Sequence, residues 1–244
     1  MCSVMGLPLR VLHVNKSDIG GGAEKIAWDF FQYSRSHGLK SWLAVDGKQS
    51  DDPDILRIPL ISGTKRNTRW ARAWLNIANR ISFFEERIRG VWRVRKPLRI
   101  MARPRLLLET QCGYEDFDFP GSWHILDMLG KHPDIVHCHN LHGGYFDLRI
   151  LPSLSKKKPT ILTLHDAWLL SGHCAHSFSC ERWKTGCGQC PDLEIYPAIK
   201  RDATAFNWQR KKSIYAKSQL YIATPSQWLM RKVEQSILAP AVVE

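Results

Sequence analysis

Six short apolar or β-branched runs, each closed by turn residues and separated from the next by helix-patterned sequence, constrain this chain most. They lie at 9–14 (LRVLHV), 41–45 (SWLAV), 55–60 (ILRIPL), 134–139 (DIVHCH), 160–165 (TILTLH) and 220–226 (LYIATPS). Several are apolar on both faces, as strands of a parallel sheet covered by helices on each side must be. Helical patterns fall between them at 23–36, 122–130, 146–155, 198–217 and 226–238. This alternation predicts an α/β fold: a Rossmann-like parallel sheet flanked by helices and joined by right-handed crossovers. The 244 residues, 44% of them hydrophobic, are enough for one substantial core.

Charge is unevenly placed. Residues 65–105 hold thirteen Lys and Arg against Glu85 and Glu86, so this segment carries almost all of the net charge of +12. Within it Trp70, Trp74, Ile77, Ile81, Phe84, Ile88 and Val91 recur at alternating spacings of four and three, the apolar stripe of a helix of roughly seven turns. Arg66, Arg69, Arg72, Arg80 and Arg87 fall off the stripe. Such a helix either packs its stripe on the protein or lies in a membrane interface, with Trp and Phe in lipid and Arg at anionic headgroups. We delimit a basic helical insertion at 65–110, with a soft boundary at KPLRIMARPR (96–105), where two prolines end the pattern. No run of about 18 uncharged apolar residues occurs, and the N-terminus shows no signal-peptide pattern. A non-secreted protein is therefore expected, cytoplasmic or peripheral at the inner face of the membrane.

The stretch SDIGGGAEK (17–25) sets three glycines between the first apolar run and the first helix. A strand, glycine and helix passage offers backbone N–H groups and the helix dipole to a phosphate, and missing Cβ atoms let a ligand come close. It is equally a permissive turn. A dinucleotide fingerprint needs G-x-G-x-x-G and an acid after the second strand. Asp46 imitates the acid, but the third glycine position is Lys25, whose side chain obstructs helix-to-strand packing, so an NAD enzyme is disfavoured.

Four of the seven cysteines, Cys174, Cys180, Cys187 and Cys190, share the loop 172–191 with the spacing C-x5-C-x6-C-x2-C. The final C-x-x-C between Gly186, Gly188 and Pro191 suits thiolate coordination of zinc, with His173 and His176 as spare ligands. A structural zinc, a redox-labile disulfide and uncoordinated buried thiols stay open as readings. If zinc is bound, four thiolates close its shell and its task is to fix the loop. A zinc-containing nucleic-acid-binding protein would combine this box with the basic aromatic helix. That reading leaves the strand-end motifs unexplained, and no nucleic-acid partner is expected.

Three further segments, HCHNLHGGY (137–145), TLHDAW (163–168) and TPSQWL (224–229), sit at the carboxyl ends of predicted strands, where open α/β sheets bind ligands. Together with LHVNKSDIGGGAE, PDIVHCHN and GHCAHSFSCERWKTGCGQCP (172–191), they resemble the N-terminal half of family 4 glycosyltransferases, retaining enzymes of GT-B architecture. The resemblance covers nearly the whole chain and is closest to the polysaccharide-assembly branch.

It implies transfer of a sugar, of hexosyl type, from a nucleotide-sugar donor to a glycan or lipid-linked acceptor in cell-surface or exopolysaccharide assembly, with no cofactor required for catalysis. By position, Gly21 and Gly22 would face the donor diphosphate, and Glu24 and Lys25 would open the following helix at the acceptor cleft. His139 and Asn140 would line that cleft, with His165 and Asp166 at the reaction centre. The family's C-terminal donor-binding domain has no counterpart before Glu244. The expectation is one domain, 1–244, from a truncated or split enzyme with little activity alone. The alternative is a non-catalytic acceptor-binding subunit that pairs with a separate donor domain.

Overall fold

The computed structural model describes residues 8–59, 69–82, 97, 98 and 100–243. Its strands are β1 (Arg10–Ser17), β2 (Lys40–Gly47), β3 (Ile55–Arg57), β4 (Ile135–Cys138), β5 (Thr160–Thr163) and β6 (Tyr221–Ala223). All pair in parallel, in the order β3-β2-β1-β4-β5-β6. The helices are α1 (Gly22–Ser36), α2 (Arg69–Ser82), α3 (Arg105–Gln111), α4 (Leu151–Lys157), α5 (Thr204–Tyr215) and α6 (Gln227–Glu234). The predicted Rossmann-like α/β arrangement and all six strands are present.

Burial on both faces explains why the strands read as continuous apolar runs. On one face Leu43, Val45 and Ile55 pack under Phe31 and Trp28 of α1. On the other, Leu12, Val14, Ala44, Val136, Cys138 and Leu162 join Leu151, Leu154, Ile214 and Tyr215 in the main core. Each large apolar side chain buried there contributes about 1.5–3 kcal/mol. Burial in the same core pushes the Cys138 thiol up to about 12. At the opening edge, Arg10 donates its backbone N, Nε and Nη2 to the Asp134 carboxylate, which ties the start of β1 to the start of β4.

The strand order reverses between β1 and β4. The connections leaving these two strands run to opposite sides, which opens a crevice at their carboxyl ends.

Helix prediction was less uniform. The stretch 122–130 is not an α-helix: it begins inside a 3-10 turn, Pro120–His124, and goes on as turns. The backbone there presses on a neighbouring strand exit, and a Cβ on Gly121 would stand 1.8 Å from the Pro59 carbonyl oxygen. The helix expected at 198–217 starts only at Thr204. Asp202 accepts from the Thr204 N–H and hydroxyl while its other oxygen accepts from Cys190 N, so the helix start is fastened to the cysteine loop.

Of the basic stripe, Trp70, Trp74, Ile77 and Ile81 fall on α2, whereas Phe84, Ile88 and Val91 lie outside the described residues. Trp74 packs on Ala71 and Ala102, and the exposed Trp70 donates Nε1 to Met101 O. Ile77 is exposed. Pro104 stands at a break between two short helical stretches and caps α3, while residues 83–96, where the stripe would end ahead of Pro97, lie outside the described residues.

Candidate functional site at the strand ends

The glycine loop is braced from below. Buried Asp18 accepts hydrogen bonds from the backbone of Gln49 and Ser50 and from the Ser50 hydroxyl, and Gln49 Nε2 donates to Ile19 O. The loop after β2 therefore fixes the loop after β1. Gly21 is the N-cap of α1 and offers no side-chain cap, and space around the missing Cβ of Gly22 is open. Glu24 folds back so that its carboxyl group lies beside Gly20 and Gly21. Lys25 is tied elsewhere, to Asp29 one turn along the exposed side of α1. Asp46, the residue that imitates a ribose-binding acid, is bound by Lys16 at 2.5 Å.

His165, just beyond β5, is half-buried with Nε2 unpartnered. Desolvation lowers its pKa, opposed by the nearby charges of Asp166 and Glu24. Asp166 spends both carboxylate oxygens: Oδ2 lies 2.6 Å from His142 Nε2, and Oδ1 accepts from Trp168 N. It therefore positions His142, a residue that sequence reasoning passed over. The His142 ring also meets Tyr196 edge-on, and Tyr196 feels both Asp166 and Glu24. The structure thus brings Glu24, His142, His165, Asp166 and Tyr196 to one neighbourhood, built from the loops after β1, β4 and β5 and from the segment following the cysteine box. Asn140 turns its carbonyl to the Tyr145 hydroxyl, 2.8 Å away, and so shapes the diglycine loop at Gly143 and Gly144, both at positive φ.

His139 is displaced from its expected place. It is fully buried on the α1 face of the sheet, and only its contact with the His165 ring connects it to the neighbourhood above. The reason is register. His13 on β1 pairs with His137 on β4, and His139 follows on the same face two residues later. The three imidazoles cluster, with ring centroids 4.2–5.8 Å apart, beneath Phe30. Burial above all, then mutual repulsion, lowers His13 to about 3, and burial lowers His137 to about 4. His139 is pushed lower still by the same causes.

A cleft of about 720 Å³ opens beside this neighbourhood. Lys16, Asp46 and the Gly143–Gly144 loop form a polar wall, and Ile100, Leu107 and Tyr114 belong to an apolar one. Its remaining wall includes Pro197, the residue after Tyr196. Such an amphiphilic shape has no signature in local sequence, because it is assembled from five separate segments.

The cysteine loop gathers Cys174, Cys180, Cys187, Cys190 and His173 around one cavity of about 20 Å³, room for a single water or ion. The cysteines are free thiols, so the disulfide reading is not what the fold shows. Cys190 Sγ lies 3.4 Å from His173 Nε2, and Gly172 N donates to Cys187 Sγ. Gly186 and Gly188 are at positive φ, which glycine adopts without strain. Gly172 passes so close to α5 that a Cβ would stand 2.3 Å from Thr204 O. Among the described residues, His13, His137 and His139 are the one set of three or more His, Cys, Asp or Glu side chains whose ligand atoms all lie within 4.8 Å of one another; the thiols of the cysteine box are not drawn together that closely.

No family model matches the chain. A protein of Escherichia coli (strain K12), WcaC, provisionally named as a colanic acid biosynthesis glycosyl transferase, is 40% identical over 77 residues. The match takes in 29% of this chain and 19% of the relative, so the chain spans less than a fifth of that relative's length. No helix among the described residues is long and apolar enough to cross a membrane.

Proposed function

We propose that this chain is the acceptor-side half of a retaining glycosyltransferase of family 4 and GT-B architecture. It would move a hexosyl group from a nucleotide sugar to a glycan or lipid-linked acceptor in exopolysaccharide assembly. The observation that carries the reading is the meeting of Glu24, His142, Asp166, His165 and Tyr196 at the switch-point crevice, beside an uncapped glycine-opened helix. Carboxylates and imidazoles match sugar hydroxyls, and an exposed tyrosine ring offers a face to a pyranose. The partial identity to WcaC favours the same class.

Roles follow from geometry. The unpartnered His165 Nε2 is free to hydrogen-bond a sugar hydroxyl near the reacting carbon. Asp166 holds His142 rather than touching substrate. The Gly21 and Gly22 backbone faces the donor diphosphate, whose charge also needs basic groups from a donor-binding domain. The basic segment around α2 brings the enzyme to an anionic membrane surface, and the adjoining cleft takes the acceptor with its apolar wall toward a lipid portion. A structural zinc in the cysteine box would rigidify the loop that carries Tyr196.

The test is sugar transfer by a polypeptide carrying this chain together with a donor-binding domain, assayed on lipid-linked acceptor in anionic vesicles. His165→Ala is expected to lower the rate at least about tenfold with an unchanged melting midpoint. A wild-type rate in that variant removes His165 from the site.

A further inference from the structure

We propose that His13, His137 and His139 form a buried binding site for a divalent late first-row metal ion, zinc in the first instance. The site is separate from the cysteine box and independent of the function proposed above. Each residue offers a nitrogen within 4.8 Å of the other two, and all three side chains are buried.

The hydrogen-bond pattern around the rings points inward. His137 Nε2 lies 2.7 Å from the Thr163 hydroxyl, and His13 Nε2 lies 3.5 Å from the Ser34 hydroxyl, which itself donates to Phe30 O. Outer hydroxyls of this kind fix the tautomer and orientation of metal-binding imidazoles. What remains is unpartnered: His13 Nδ1 and both ring nitrogens of His139 are buried without a hydrogen-bond partner. A buried orphan nitrogen costs about 1–3 kcal/mol, and such groups in a native interior call for a water or an ion. Three converging neutral imidazoles suit zinc, copper, nickel or iron, not magnesium or calcium, which take oxygen ligands. Zinc with nitrogens at about 2.0–2.1 Å sets them roughly 3.3 Å apart, a closure that side-chain torsions can supply.

The donors come from β1, from β4 and from the residue just past β4; these two strands flank the switch point, with α1 as the lid through Phe30. An ion here would pin the floor of the crevice, one ring away from His165. Its fourth position would belong to water.

The experiment follows the imidazole nitrogen resonances of the chain by NMR after chelator treatment, as zinc chloride is added up to a severalfold excess over both candidate sites. The signals of His13, His137 and His139 are expected to shift together and saturate, with a rise in melting temperature that magnesium does not give. His137→Gln, whose amide can keep the Thr163 bond, is expected to abolish the shift of the other two. Imidazole signals that stay fixed at full excess overturn the proposal, because the pocket then holds water or nothing and any zinc taken up sits among the thiols. Saturation that survives His137→Gln unchanged also overturns it.

Discussion

Between pH 7 and pH 5 the protein, measured with chelator present, is expected to lose on the order of 5 kcal/mol of folding stability. The loss comes from His13, His137 and His139. In the folded chain the first two titrate at about 3 and about 4 and the third lower, because burial penalises their charged forms and their neighbours repel a second proton. In the unfolded chain they titrate near 6.5. A depressed folded pKa gives a contribution that is complete above the unfolded value and is lost as the pH falls below it. The loss runs at about 1.4 kcal/mol per pH unit for each imidazole, and pH 5 lies about 1.5 units below 6.5, so each costs about 2 kcal/mol. Asp134 does not intrude on this window: Arg10 holds it at about 2, and its contribution fades only below about pH 4. Denaturant midpoints at the two pH values check the expectation, and a midpoint that stays put contradicts a neutral buried cluster.

Replacing Lys211 with Met is expected to cost about 3–5 kcal/mol. Lys211 is completely buried in α5, with Nζ 3.0 Å from Glu115 Oε1 and donating to the carbonyls of Trp168 and Ser171. The ammonium also lies 3.7 Å from the centre of the Trp168 ring. Burial lowers the lysine and raises the glutamate, and the two oppose those shifts in each other. Methionine fills the space, yet it strands a carboxylate and two carbonyls in the interior. Adding Glu115→Gln to Lys211→Met should recover part of the loss, since an isolated buried charge is the larger penalty. Urea unfolding of the single and double variants decides it, and a single-variant loss under about 1 kcal/mol contradicts the account.

Lys211 also links fold to site, because Trp168 and Ser171 bracket the segment between Asp166 and the cysteine loop. Nothing local announced it: within KKS (211–213) a lysine reads as solvent-facing. The strands were legible because burial on both faces leaves unbroken apolar runs, and the crevice followed from where those runs end. His142 was not, since it lies in a loop without period and its partner Asp166 is 24 residues away. Its only signal was its place between a strand end and a diglycine. His139 was misplaced for a related reason: sequence shows it at the end of the run 134–139, but only the pairing of His13 with His137 shows that a third imidazole closes over that face. The helix expected at 122–130 failed where a backbone contact, Gly121 on Pro59, outweighed an apolar pattern.

The crevice remains the centre of the account. Its most direct test is the product formed by a polypeptide carrying this chain with a donor-binding domain, given a panel of nucleotide sugars and a saccharide or lipid-linked acceptor. NMR of the product reads the configuration at the new anomeric carbon. A donor-dependent glycoside that keeps the donor's anomeric configuration is the predicted result. An inverted product, or no new glycoside with any donor while the protein is folded, contradicts it.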